Sequence, residues 1–97
     1  MATFVLLSKV SSEGVRQMRK MPDMDREFER GLRESCPGVR RIASYALLGA
    51  YDFLHIFEAP DAATAARVAL LATSFGVEST QTLTAFPFDE FSRIVRE

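Results

Sequence analysis

Apolar residues along this chain change their spacing repeatedly, and each change marks an element. Between Thr3 and Val10 the run Phe4-Val5-Leu6-Leu7 is unbroken before Ser8-Lys9, the pattern of a strand covered on both faces. Val15, Met18, Met21, Met24, Phe28 and Leu32 then recur at intervals of three and four, so one helix face is buried. Ser11-Ser12-Glu13-Gly14 precedes that stretch with hydroxyls able to accept from the free N–H groups of a helix start. Pro22 interrupts it. Inside a helix a proline costs about 3 kcal/mol, but as the first residue of a new helix it is tolerated, and Asp23 and Asp25 suit that helix's positive end. The spacing predicts a short helix over 12–20 and a longer one over 22–35, stopped by Pro37-Gly38.

Residues 39–48 and 51–59 read as two strands with Gly49-Ala50 between them. Glycine at the first of two loop positions meets the requirement of a type II′ hairpin turn. Counting back from Leu48 opposite Tyr51 sets Tyr45 opposite Leu54, Ser44 opposite His55 and Arg41 opposite Glu58. The last pair is of opposite charge, and a one-residue slip would break it. This register places Ile42, Ser44, Ala46, Leu48, Tyr51, Phe53, His55 and Phe57 on one face. Arg41, Ala43, Tyr45, Leu47, Asp52, Leu54, Ile56 and Glu58 fall on the other.

Pro60-Asp61 opens the next helix, with Asp61 as its cap, Ala62 to Ser74 rich in helix formers and Gly76 at its end. Residues 78–86 alternate and are rich in threonine, as a strand does, and Pro87-Phe88-Asp89-Glu90-Phe91 starts a terminal helix. Strand, helix, strand, strand, helix, strand is the βαββαβ order of a ferredoxin-like α+β fold with a four-stranded antiparallel sheet. Strands one and three are then central, which agrees with their apolar runs; strands two and four, which carry the polar residues, are edges. Two helices cover one sheet face only. The other is largely apolar and needs a cover, for which a second copy is the simplest candidate. The expectation is a homodimer, or a higher oligomer, of the dimeric α/β barrel type.

Composition narrows this without redirecting it. The 97 residues read as a single domain over 1–97, and a chain of this size buries only roughly 60 to 65% of its unfolded surface. Twelve basic and 13 acidic residues give a net charge of −1, and apart from Arg40-Arg41 the basic residues are scattered. A nucleic-acid partner needs a clustered basic face and is not expected. No apolar run reaches the roughly 18 residues of a membrane span, and no signal peptide is evident, so a cytoplasmic protein without a membrane partner is expected. Cys36 is the single cysteine. It reads as a half-buried thiol with no local base to activate it.

His55, the only histidine, is the one side chain able to exchange protons near neutral pH. Facing the helices it would be a core histidine bonded to Ser44 or backbone; facing the dimer interior it would be a catalytic or ligand-binding candidate. The polar residues Arg41, Asp52 and Glu58 on the opposite face suggest that this other face is the open one, making Tyr45 and Asp52 the better pocket candidates, with Tyr51 beside them. For Asp52 the plainer role is bonding turn N–H groups, and for Tyr45 a packed ring. Met18, Met21 and Met24 read as core, and Thr80, Thr82 and Thr84 as strand formers. No second His or Cys has metal-ligand spacing, and no phosphate loop is present; neither a metal nor a cofactor is expected.

Ser44-Tyr45-Ala46-Leu47-Leu48-Gly49-Ala50-Tyr51-Asp52, Glu58-Ala59-Pro60-Asp61, Gly76-Val77 and Thr82-Leu83-Thr84-Ala85-Phe86 resemble the GYD domain family over nearly the whole chain. Gly49, Tyr51 and Asp52 match the residues that name it. The chain departs at Thr84, where an arginine is common in that family, and at His55, where a small apolar residue is usual. The resemblance implies a dimeric α/β barrel. The hairpin is also similar to that of the ligand-sensing domain of leucine-responsive (Lrp/AsnC) regulators, which implies a site between subunits near Tyr51-Asp52. The resulting expectation is a homodimeric small-molecule-binding or sensing module, with Tyr45, Tyr51, Asp52 and His55 as ligand-binding candidates and His55 as the catalytic one. The alternatives are a cofactor-independent enzyme acting on a small carbonyl or polyketide-like metabolite, and a structural or partner-binding dimer.

Overall fold

In the computed structural model, which describes residues 1–97, Phe4, Leu6, Ser8 and Val10 fall on one side of the first strand, β1 (Ala2–Val10), and all are buried. Period-two alternation therefore decides which face of the sheet the helices cover. Three more strands complete it: β2 (Arg40–Ala46), β3 (Phe53–Ala59) and β4 (Val77–Ala85), all antiparallel in the order β2-β3-β1-β4. The two central strands are the apolar ones, β1 and β3, as the sequence predicts. The fold is ferredoxin-like α+β.

Between β1 and β2 the chain forms α1 (Ser12–Arg16), a 3-10 turn (Met18–Lys20) and α2 (Met21–Ser35). The expected first helix over 12–20 is α-helical only to Arg16, and α2 starts at Met21, with Pro22 in its first turn, where the missing N–H is harmless. Ser11 caps α1, its hydroxyl accepting from the Gly14 N–H at 3.0 Å. Between β3 and β4 lies α3 (Ala62–Ala72), continued by a 3-10 turn (Thr73–Phe75). Asp61 caps α3, accepting from the Thr64 N–H at 2.8 Å and the Thr64 hydroxyl at 2.7 Å, and these bonds hold its carboxyl below the usual range. Gly76 ends this helix in the left-handed region at φ 81°. Phe28, Leu32 and Cys36 of the α2 region meet Ala65, Val68 and Ala72 of α3 over Phe4, Leu6 and Phe57. Cys36 is thus a core residue. A final helix, α4 (Phe88–Arg96), has no buried residue.

Two expectations about the hairpin are corrected. The register runs as predicted from Ala46 opposite Phe53 through Tyr45/Leu54 and Ser44/His55 to Ala43/Ile56, and then shifts by one residue at Ile42. Glu58 therefore lies opposite Arg40, not Arg41, with Arg40 Nη1 to Glu58 Oε1 at 3.6 Å. Arg41 lies opposite Phe57 and passes to the helix-covered face. A β-bulge accommodates one extra residue and re-aims its neighbour; here it leaves Ile42 51% exposed. The loop is also not a two-residue type II′ turn. It closes through the Leu47 N–H to the Asp52 carbonyl at 2.8 Å, leaving a four-residue loop in which Gly49 has φ 156°, far from the roughly 60° of that turn.

At one position backbones meet too closely for any side chain. The Ser11 N–H donates to the Gly76 carbonyl at 2.9 Å, and a Cβ on Gly14 would lie 2.2 Å from Val10 Cγ1 and 2.5 Å from the Gly76 oxygen. Gly14→Ala is expected to lower the urea-unfolding free energy by at least about 2 kcal/mol, since backbone must move. Gly49 has open space around a Cβ, so Gly49→Val is expected to cost only about 1 kcal/mol, through its positive φ alone. Equal losses would contradict this account of the junction between α1 and the start of β4.

Candidate functional site

Between the 3-10 turn and α2 on one side and the β2–β3 side of the sheet on the other, a cleft of about 420 Å³ remains. Met18, Met21, Met24, Phe28, Phe53 and Phe75 supply much of its apolar wall. Its polar groups are Ser8 from β1, Asp25 from α2, Arg41 and Ser44 from β2, and His55 from β3. Spacing explains the assembly. Asp25 and Glu29 are four residues apart and share a helix face, Ser44 and His55 are directly opposite across the β2–β3 ladder, and the bulge at Ile42 turns Arg41 toward all four.

Arg41 is the centre of the cluster. Its Nη2 donates to Asp25 Oδ1 at 2.6 Å and its Nη1 to Glu29 Oε2 at 3.1 Å and Asp25 Oδ2 at 3.3 Å. Its Nε donates to Ser44 Oγ at 3.2 Å, and Nη2 also reaches His55 Nδ1 at 3.2 Å. The guanidinium carbon stands 5.3 Å from the Phe28 ring centre, a cation–π distance. Burial opposes the charge on Arg41, but the hydrogen bonds and charges of Asp25 and Glu29 outweigh it, and its pKa stays raised.

His55 lies under α2, its ring centre 6.1 Å from that of Phe28, and Ser44 Oγ is 2.8 Å from its Nδ1. Burial first, and the Arg41 charge second, lower its pKa from 6.5 to about 4; the Asp25 carboxylate opposes this. The imidazole is neutral at pH 7. It faces the helices and not the open sheet face.

The other residues singled out from sequence are dispersed. Tyr45 lines the cleft from the edge strand and is 58% exposed. Asp52 is outside the cleft: its carboxylate accepts from the Val10 N–H at 2.8 Å, and its own N–H donates to the Ser8 carbonyl at 2.9 Å. Tyr51 is outside it too, its hydroxyl donating to Gln81 Oε1 at 2.6 Å and tying the hairpin to β4. Sequence patterning does not group Arg41 with Asp25 and Glu29, and it assigns Arg41 to the opposite face. The i, i+4 acidic pair on α2 is visible in the sequence, but the bulge that brings Arg41 to it is not. No group of three or more His, Cys, Asp or Glu side chains is arranged to hold a metal ion, and no helix is long and apolar enough to cross a membrane.

The unfolded chain protonates His55 near pH 6.5 and the folded chain only near pH 4, so between those values the unfolded state binds more protons. Stability is therefore complete above pH 6.5 and falls as the pH is lowered toward 4. An NMR titration of the imidazole is expected to give a midpoint near pH 4 in the native protein. In Arg41→Met, where the repelling cation is gone and the Asp25 and Glu29 carboxylates face the ring, the midpoint is expected to move up. A native midpoint at or above 6.5 would contradict the burial and charge environment described.

Among curated proteins the chain is similar to the glutamine synthetase and cystathionine beta-lyase binding protein of Thermus thermophilus, at 42% identity over 87 residues covering 90% of each chain. Among solved structures it resembles MtbAldR, with a TM-score of 0.67 at 14% identity, covering 89% of this chain and 52% of that one, so it spans about half of MtbAldR. A solved structure from Thermus thermophilus gives a TM-score of 0.57 at 21% identity, with 90% of this chain and 95% of that one covered. An Arabidopsis thaliana protein gives 0.62 at 11% identity, with the same coverage. At these identities the solved structures speak to fold alone. The GYD domain model matches residues 4–95, and with a 42% identical relative over nearly its whole length the chain belongs to the GYD domain family.

Proposed function

We propose that this chain is a homodimeric binding module, with a protein partner and a small-molecule cleft, and not itself a catalyst. The observation that carries this is surface left uncovered. The chain exposes 6610 Å², whereas a compact monomer of 10.9 kDa exposes about 5,600 Å². The excess, about 1,000 Å², matches the roughly 800 Å² that each partner contributes to a standard protein interface. It is apolar. Val5, Leu7, Leu54 and Ile56 face away from the helices on the two central strands and are only half-buried, Leu83 extends this patch on β4, and Phe88, Phe91, Ile94 and Val95 lie exposed on α4.

A second copy packed sheet to sheet is the simplest cover for the open face. The Thermus relative is named for binding glutamine synthetase and cystathionine beta-lyase, which supports an enzyme as the protein partner. The cleft favours small-molecule binding as a further capacity, because 420 Å³ lies within the range of ligand pockets. The alternative of a cofactor-independent enzyme is less well supported. A general base needs a free lone pair, and that of His55 is taken up by Arg41 and Ser44.

Sedimentation velocity at micromolar concentration is expected to show a dimer, and Leu54→Glu, on the open face, a folded monomer. A native chain sedimenting as a monomer would remove the dimer. Gel filtration with glutamine synthetase and cystathionine beta-lyase of the same organism is expected to show co-elution with at least one. Separate elution from both would remove the proposed enzyme partner.

A further inference from the structure

The chemistry of the cleft deepens the small-molecule reading, on which this inference rests. A guanidinium has five N–H donors and no acceptor. On Arg41 all five are engaged: Nε with Ser44, Nη1 with Asp25 and Glu29, Nη2 with Asp25 and His55. None is free for a carboxylate or phosphate, and two carboxylates stand against the single guanidinium charge. The cluster therefore repels anions, although it contains an arginine.

The same bonds assign the proton on His55. Arg41 Nη2 can only donate, so Nδ1 accepts, and the neutral ring carries its hydrogen on Nε2. Ser44 fits that assignment, accepting from Arg41 Nε and donating to Nδ1. Nε2 lies on the opposite edge of the ring and has no partner in the chain, yet it is not a sealed, unsatisfied atom, and His55 lines the cleft. One oriented neutral donor thus stands beside an apolar wall in which methionine and phenylalanine predominate, while Arg41, Asp25 and Ser44 are engaged with one another. A cavity of about 150 Å³ holds a benzene ring, so 420 Å³ has ample room for two or three fused rings. We propose that the cleft takes an uncharged, largely apolar molecule of that size bearing one hydrogen-bond acceptor, such as a carbonyl oxygen, to which His55 Nε2–H donates.

Three probes of matched shape test this by NMR titration of the full chain at pH 7: 2-acetylnaphthalene, 2-ethylnaphthalene and 2-naphthoate. The ketone is expected to bind roughly three- to tenfold more tightly than the hydrocarbon, the difference one net hydrogen bond makes, and the naphthoate most weakly. His55→Phe is expected to abolish the ketone's advantage and leave hydrocarbon affinity within about twofold. Naphthoate binding as tightly as the ketone, or a ketone advantage that survives His55→Phe, would overturn the ligand class while leaving the small-molecule reading. Binding of none of the three would remove that reading as well. Imidazole nitrogen shifts of the native protein at pH 7 should show Nε2 protonated; a proton on Nδ1 would overturn the assignment whether or not the variant folds.

Discussion

The arrangement of this protein's helix-covered face turns on one side chain, Arg41, whose donors are all satisfied inside the fold. Its guanidinium is largely buried, where its charge would be costly unless paired, and two part-exposed carboxylates one helical turn apart, Asp25 and Glu29, pair it. The bulge at Ile42 brings Arg41 to them. Had the register continued unshifted, Arg41 would have pointed away from α2 and an isoleucine would have taken its place. The fold gives up part of the burial of Ile42, of order 1 kcal/mol for half a side chain, and gains a guanidinium that joins β2, β3 and α2.

That choice sets the electrostatics of the cleft. In most binding sites an arginine signals recognition of an anion, but here it is consumed by its neighbours and acts on the site through them. It supplies part of the field that keeps His55 neutral, holds Ser44 with its hydroxyl turned to Nδ1, and leaves the histidine as a donor of fixed direction. Burial is the main cause of the lowered pKa of His55, and the charge of Arg41, which bonds Nδ1, adds to it.

The opposite face is governed by a different constraint, the small size of the chain. Only 14 of 97 residues are buried, and the chain is extended, with a radius of gyration of 14.4 Å against about 12.5 Å for a compact chain of this length. Two helices suffice to cover one side of a four-stranded sheet, and α4, which carries phenylalanines, is not folded back over the other. Cleft and open face therefore lie on opposite sides of one sheet, and β3 belongs to both: Phe53, His55 and Phe57 look toward the helices, Leu54 and Ile56 away from them.

Sequence alone determined the element order, the central placement of β1 and β3, the helix break near Pro22, the caps at Asp61 and Gly76, and the pairing of Ser44 with His55. Each follows from local chemistry: hydrophobic period, a missing N–H, a side chain that accepts from nearby backbone, a short hairpin. It also left one sheet face recognisably uncovered. Only the tertiary structure decided on which side Arg41 lies, because a one-residue bulge is a response to charges on a helix more than ten residues away in sequence and leaves no mark in the strand's own pattern. The same holds for Asp52, whose carboxylate was spent on the N–H of Val10, 42 residues distant. The histidine was visible from the start, but its lowered pKa and the face it occupies depend on contacts distant in sequence.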